Sequence, residues 1–227
     1  MSALQQSGYL ADTPARLNAD LFFPRHACPL PVLVDRSLCW LATRSLALPE
    51  VLKRLRLDPL GPEPSEAHPV LFARQFDTGW VALVARARTH RIVSTRELAR
   101  LSERGQVLTC SFDERWMTSE SELWMRGARR WRIEHDGRRS RDHLVTAGTL
   151  PPAFHAIHAD WSDLHATFRG TPADMDYHFE IPLAVAGSYI GFRHQEFDRP
   201  SDADQRLVEA ALSEGRVQPR SRWMFWR

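Results

Sequence analysis

The alternation of apolar and polar positions divides the chain into short elements. Ser37 to Thr43, SLCWLAT, is an apolar run suited to a buried strand, and the SLALPEVLKRLRL after it sets Val51, Leu52 and Leu55 at helical spacing. Beyond a proline-rich stretch, Leu60 to Pro69, the runs VLFARQF and GWVALVARA predict two further strands. Ser94 and Glu97 in STRE match a capping box, Leu98 and Leu101 share one face, and Gly105 supplies a stop. Gln106 to Phe112, QVLTCSF, returns to strand. SELWMRGARRWRIEHDG then alternates about a turn at Arg126 to Ala128, with Leu123 and Met125 on one arm and Trp131 and Ile133 on the other. That is the pattern of a β-hairpin whose arginines form a solvated face.

GTLPPAFHAIHADWSDLHATFRG predicts a helix opened by Thr149, with prolines in its first turn and Gly170 at its end. Phe154, Ile157, Trp161, Leu164 and Phe168 form its apolar stripe. Asp176 to Ile181, DYHFEI, reads as a short strand, after which Pro182 fits the first position of a helix running to about Ile190. SDADQRLVEAALSEG reads as an amphipathic helix capped by Ser201 and stopped by Gly215. The mixture predicts an α+β protein, a mostly antiparallel sheet with helices packed on one face.

Prolines at 14, 24, 29 and 31 break the pattern over residues 1–31, which read as an N-terminal arm. Residues 32–215 form one α+β domain, with subdomains 32–105 and 106–215 as the alternative. Residues 216–227 are an aromatic and basic tail ending RSRWMFWR. Its Trp223, Phe225 and Trp226 must dock on the protein's own surface or on a partner, a second copy in a homodimer being one such partner.

Composition narrows the function classes. With 43% hydrophobic residues in 227, the chain can bury a core without staples, and no apolar run approaches the roughly 20 residues of a spanning helix. Membrane partners are therefore not expected. The first thirty residues lack a basic start followed by a long apolar core, which predicts a cytoplasmic protein. Three cysteines, Cys28, Cys39 and Cys110, form no CxxC pair and read as buried, reduced thiols. The formal charge of +2 does not force a nucleic-acid partner. Nearly all the positive charge is arginine, Lys53 being the only lysine, and that bias extends over the whole chain, as a GC-rich bacterial genome would produce.

The histidines raise a metal reading, since His155, His158 and His165 fall on one predicted helix and His135, His143 and His178 lie nearby in sequence. His155 and His158 could share an ion, but His158 and His165 stand seven residues apart, about 10.5 Å along a helix axis, and no HExxH pattern accompanies them. No metal and no cofactor is expected. Asp113, Glu114, Glu120 and Glu122 could supply an acid/base pair, and a hydrolase using Asp113 or Glu114 with a histidine such as His135 is one alternative function. Neighbours on a strand point to opposite faces, which weakens it. No GxSxG elbow, Walker-type loop or GxGxxG is present. The arginines from Arg126 to Arg141, with Trp124 and Trp131 among them, could serve a nucleic-acid accessory protein, but an exposed hairpin face partly neutralised by Glu134 and Asp136 is the simpler account.

VLTCSFDERWMTSESELWMRGARRWRIEHDG, TLPPAFHAI and DYHFEIPLAVAGSYIGFRHQE together are similar to a family of uncharacterised bacterial cytosolic proteins. Their shared pattern runs from a strand with an acidic pair, here Asp113 and Glu114, through a Trp-rich hairpin to a Leu-Pro helix start and a Phe-Glu-Ile-Pro-Leu helix. The similarity covers Val107 to Glu196. Members of that family often resemble immunity proteins, the cognate inhibitors of secreted antibacterial toxins. The resemblance implies a non-enzymatic binding protein that neutralises a toxin by direct contact, with Glu114, Trp116, Glu120, Glu122 and Trp124 as the partner-binding residues.

Overall fold

Strand β1, Ser37–Thr43, lies inside the sheet, and after Ser37 each of its residues is buried. In the computed structural model, residues 37–59, 71–76, 78–172 and 174–191 are described, together with the backbone of 205–209. The N-terminal arm, the proline-rich stretch, Cys28, the Phe192-Arg193-His194 segment and the aromatic tail lie outside the described residues. Helix α1, Leu48–Leu55, follows β1 and buries Val51, Leu52 and Leu55 as its periodicity predicts. Then come β2 (Leu57–Pro59), β3 (Leu71–Gln75), β4 (Val81–Ala85), a 3-10 turn at Arg91–Val93, and α2 (Thr95–Ser102). Strands β5 (Gln106–Asp113), β6 (Thr118–Met125), β7 (Ala128–Asp136) and β8 (Val145–Gly148) form a meander. Helix α3 (Pro152–Phe168), a 3-10 turn (Tyr177–Phe179), α4 (Glu180–Ile190) and β9 (Gln205–Glu209) complete the described chain.

The nine strands form one sheet in the order β2-β9-β3-β4-β1-β5-β6-β7-β8, and every pairing is antiparallel. The α+β class and the antiparallel sheet are as expected. Strand β1 pairs with both β4 and β5, so the sheet runs without a break across residue 105.

Helices cover both faces of the sheet rather than one. The strands at its centre dictate this: β4 is buried at all five positions, so side chains of both parities need cover. On one face Trp40, Val84, Phe112, Trp131 and Ile133 pack with Phe154 and Ile157 of α3 and with Ile181, Val185 and Ile190 of α4. On the other, Cys39, Leu41, Leu83 and Trp124 pack with α1 and with Leu98 and Leu101 of α2. Burial pushes the Cys39 thiol up to about 12 and raises Cys110 well above its ordinary value, so both are inert thiols.

The β6–β7 hairpin matches the sequence pattern closely. Arg126 and Gly127 have φ of 53° and 74°, the paired left-handed residues that a tight two-residue turn requires, and Leu123 faces Trp131 across the ladder. The backbone N–H of Arg126 donates to the Ser102 carbonyl at 2.7 Å, which pins the turn to the end of α2. Other boundaries shift. Ser94 is the N-cap of α2, but its side chain makes no capping bond, and Glu97 pairs with Arg100 within the helix. Pro151, not Thr149, caps α3, since the Thr149 backbone N–H is taken by the Arg130 carbonyl.

Two elements differ from expectation. Asp176 to Ile181 is no strand: Tyr177, His178 and Phe179 are buried in succession, and they form the 3-10 turn that leads into α4. Pro182 consequently stands in the first turn of α4, behind Glu180. The segment read as an amphipathic helix from Ser201 contains strand β9, which pairs with Leu57–Pro59 on one side and with Phe72 and Ala73 on the other. Backbone pairing between two available strand edges outweighs a helical apolar period there. No described helix is long and apolar enough to cross a membrane.

Candidate functional site

The hairpin strands display two chemistries, separated by the pleat. On β6, Glu120 and Glu122 share the face that carries Trp124, and arginines of β7 meet them. Arg132 Nε donates to Glu120 at 2.6 Å, its other end reaches Glu134 at 2.9 Å, and Arg129 reaches Glu122 at 2.8 Å. The Glu120 carboxylate, with its hydrogen bond first and its charge after, raises the proton affinity of Arg132 further. Trp124 is buried, and its indole N–H donates to Glu122 at 2.7 Å. The two glutamates therefore sit in a ladder of ion pairs along one side of a cleft of about 440 Å³, with Arg88, His90 and Arg91 opposite.

A different surface forms where β5 turns into β6. Glu114 to Met117 make that turn, and Asp113 shapes it by accepting the Arg115 backbone N–H at 3.1 Å. Met117 has a φ of 48°, and its carbonyl accepts the Gly137 N–H at 2.8 Å, which ties the turn to the end of β7. Trp116 stands 48% exposed at the tip with the Arg115 guanidinium 5.6 Å from its ring centre. Arg115, Trp116, Gly137, Arg138, Arg141 and Met175 line a concavity of about 460 Å³. Met175 is 61% exposed, so two of the large apolar side chains left to solvent lie in this one depression.

The arginines here are held in place. Arg138 grips Asp136 through Nε and Nη2 at 2.9 and 2.8 Å, and that pairing takes the Asp136 carboxyl down to about 2. Arg141 reaches Asp174 at 2.7 Å and Arg115 reaches Asp113 at 3.4 Å. All three guanidinium side chains remain half exposed. Gly137 is needed beneath them, because a Cβ at this position would lie 2.8 Å from both an Asp176 carboxylate oxygen and Met117 Cβ.

Behind this depression lie the histidines. His135 is fully buried between two acceptors, with Nδ1 2.6 Å from the His143 carbonyl and Nε2 3.0 Å from Asp176. His143 in turn accepts the Asp136 N–H through Nδ1 at 2.9 Å. Further along, His165 of α3 and His178 of the 3-10 turn bring their rings within 4.9 Å, centre to centre, and Asp142 comes within 3.1 Å of His165. Among the described residues, Asp142, His165 and His178 are the set able to hold a metal ion.

The structure thus divides the five residues singled out for partner binding. Glu114 and Trp116 belong to the β5–β6 turn, Glu120 and Glu122 to the ion-pair ladder, and Trp124 to the core on the α2 side. Asp113 and His135 lie on opposite faces of the sheet: Asp113 pairs through Thr118 with Asp136, the neighbour of His135, so this pair does not converge. Trp124 and Trp131 are likewise buried in different clusters and offer no shared stacking platform. Sequence reasoning missed Met175, Arg138 and Arg141 as companions of Trp116 and Asp142 as a companion of His165; it named His178 beside His165 but did not bring the two together. The first group becomes visible only when the 170s loop is seen to reach the end of β7.

Comparison with protein-family models, with curated proteins and with solved structures finds no match for the chain.

Proposed function

We propose that this is a non-enzymatic binding protein, an immunity protein that neutralises a cognate antibacterial toxin in the bacterial cytoplasm, and that it engages the toxin through the depression around Trp116. The observation that carries the reading is the composition of that surface. An exposed tryptophan and an exposed methionine sit among three arginines fixed by carboxylates, and Trp, Met and Arg are the residue types enriched where protein interfaces concentrate their binding energy. Carboxylate-held guanidinium groups lose little side-chain freedom on binding and keep N–H donors for a partner. An acidic loop on the toxin complements them. Glu114 is retained as a contact at the margin of this turn. Glu120, Glu122 and Trp124 are assigned to holding the hairpin rigid beneath it.

The test looks for a secreted effector encoded beside this gene and purifies it with wild-type protein and with a Trp116→Ala/Arg138→Ala variant. Both side chains are about half exposed, and a circular dichroism spectrum matching wild type verifies that the variant is folded. Wild type is expected to form a complex and to protect cells that express the effector. The double variant is expected to bind at least about a hundredfold more weakly, since hot-spot residues each contribute about 2 kcal/mol or more. A neighbouring gene that encodes no secreted effector, or an effector that binds the double variant as tightly as wild type, overturns the proposal.

A further inference from the structure

His165 and His178 are buried to 5% and 7% exposure, yet their nitrogens are poorly satisfied. Neither Nδ1 nor Nε2 of His165 has a hydrogen-bond partner, and neither does Nδ1 of His178. The Asp142 carboxylate lies 3.1 Å from His165 Nε2 but outside hydrogen-bond geometry. A buried polar atom left without a partner costs about 1 to 3 kcal/mol, and here such atoms gather at one point. One donor atom from each of Asp142, His165 and His178 falls within 4.8 Å of the other two.

We propose that Asp142, His165 and His178 bind a divalent transition-metal ion, zinc foremost, leaving its remaining coordination open toward solvent on the Asp142 side. Two imidazole nitrogens and one carboxylate oxygen are a donor set that zinc accepts, with bonds of about 2.0 to 2.2 Å. Donors on such bonds stand about 3.4 Å apart; Asp142 and His165 are already at 3.1 Å, and the separations within 4.8 Å close by up to about 1.4 Å through side-chain rotation of Asp142 and His178. The surroundings fit the role. Tyr177 lies edge-on to the His165 ring and screens it from water.

The ion would join three pieces of chain distant in sequence: the loop after β7, the middle of α3 and the 3-10 turn before α4. This role is independent of the toxin-binding reading. It does bear on that surface, because Asp142 follows Arg141, and a ligand there would immobilise the loop that carries Arg138 and Arg141.

The experiment is a zinc titration of the full chain, stripped with chelator and dialysed, competed against a chromophoric chelator, with Co²⁺ absorption as a second readout. One equivalent is expected to bind, and the Co²⁺ complex should show the visible bands of a low-coordinate nitrogen and oxygen site. Asp142→Asn should weaken binding about tenfold and His178→Gln about a hundredfold, taking ligand loss to be at least as damaging as outer-contact loss. His155→Gln should leave it unchanged. Asp142 is on the surface, so its variant keeps the fold and decides the matter even if His178→Gln unfolds. No binding by wild type, or equal zinc affinity in wild type and Asp142→Asn, overturns the proposal.

Discussion

At His135 both ring nitrogens meet an acceptor, whereas at His165, on the same side of the sheet, neither nitrogen has a hydrogen bond. Both rings are buried and both have an aspartate about 3 Å away. The difference lies in what surrounds them. Asp176 is 6% exposed at its side chain and lies against Gly137; its Oδ1 has no partner, but its Oδ2 and the His143 carbonyl together satisfy both nitrogens of His135. Asp142 is 54% exposed, and apart from His165 its carboxylate meets only Arg169, at 3.8 Å, among the described ion pairs. Burial of a histidine beside a carboxylate therefore does not by itself distinguish scaffolding from a ligand site; satisfaction of the remaining nitrogen atoms does.

That contrast can be broken by substitution. His135→Ala strands the Asp176 carboxylate in a buried position, and urea unfolding should show a loss of about 3 to 5 kcal/mol. His165→Gln in chelator-treated protein should cost about 1 kcal/mol or less, since no hydrogen bond is removed. Equal losses at the two histidines would abolish the distinction. A smaller effect is expected from Gly137→Ala, which forces Met117 and Asp176 apart and should cost about 1 to 3 kcal/mol by overpacking. It should also weaken effector binding, because Trp116 rides on the displaced turn.

The smallest effect concerns acid. The Asp136 carboxyl lies at about 2 in the folded chain, held there mainly by Arg138, against an ordinary 3.8. A carboxylate depressed in this way contributes its stability above its unfolded value, and that contribution disappears as pH falls from about 4 to about 2. Urea midpoints measured across this interval should decline in wild type and decline less in Arg138→Gln. Identical slopes would mean that the pair contributes nothing to the fold.

Much of the architecture was legible wherever the signal is local. The hairpin announced itself because period-two alternation, a glycine at the turn and cross-strand apolar pairs all fall within Ser121 to Gly137. Helix α1 was equally readable, because three buried residues at helical spacing define its face. Long-range choices were not. Trp116 and Trp124 are eight positions apart in one stretch, and nothing in their immediate neighbours says that α2 will cover the second while the first is left on a turn. Reading DYHFEI as a strand placed alternate residues on opposite faces, so His178 could not be seen to turn inward toward α3. The histidine set was weighed mainly along one helix, where spacing excluded it, with His178 noted only as nearby in sequence, while the residues that join His165 came from a loop and a 3-10 turn. Likewise β9 owes its conformation to partners more than a hundred residues upstream.

That last strand has a consequence for synthesis. Since Gln205–Glu209 slots between β2 and β3, the earliest-made part of the sheet lacks its neighbour until nearly all of the described chain has left the ribosome. The nascent β3 edge meanwhile offers unpaired backbone groups to any passing strand, and contacts of such sequence separation form slowly. Translation speed and chaperone occupancy over the final stretch should therefore govern how much of this protein escapes aggregation.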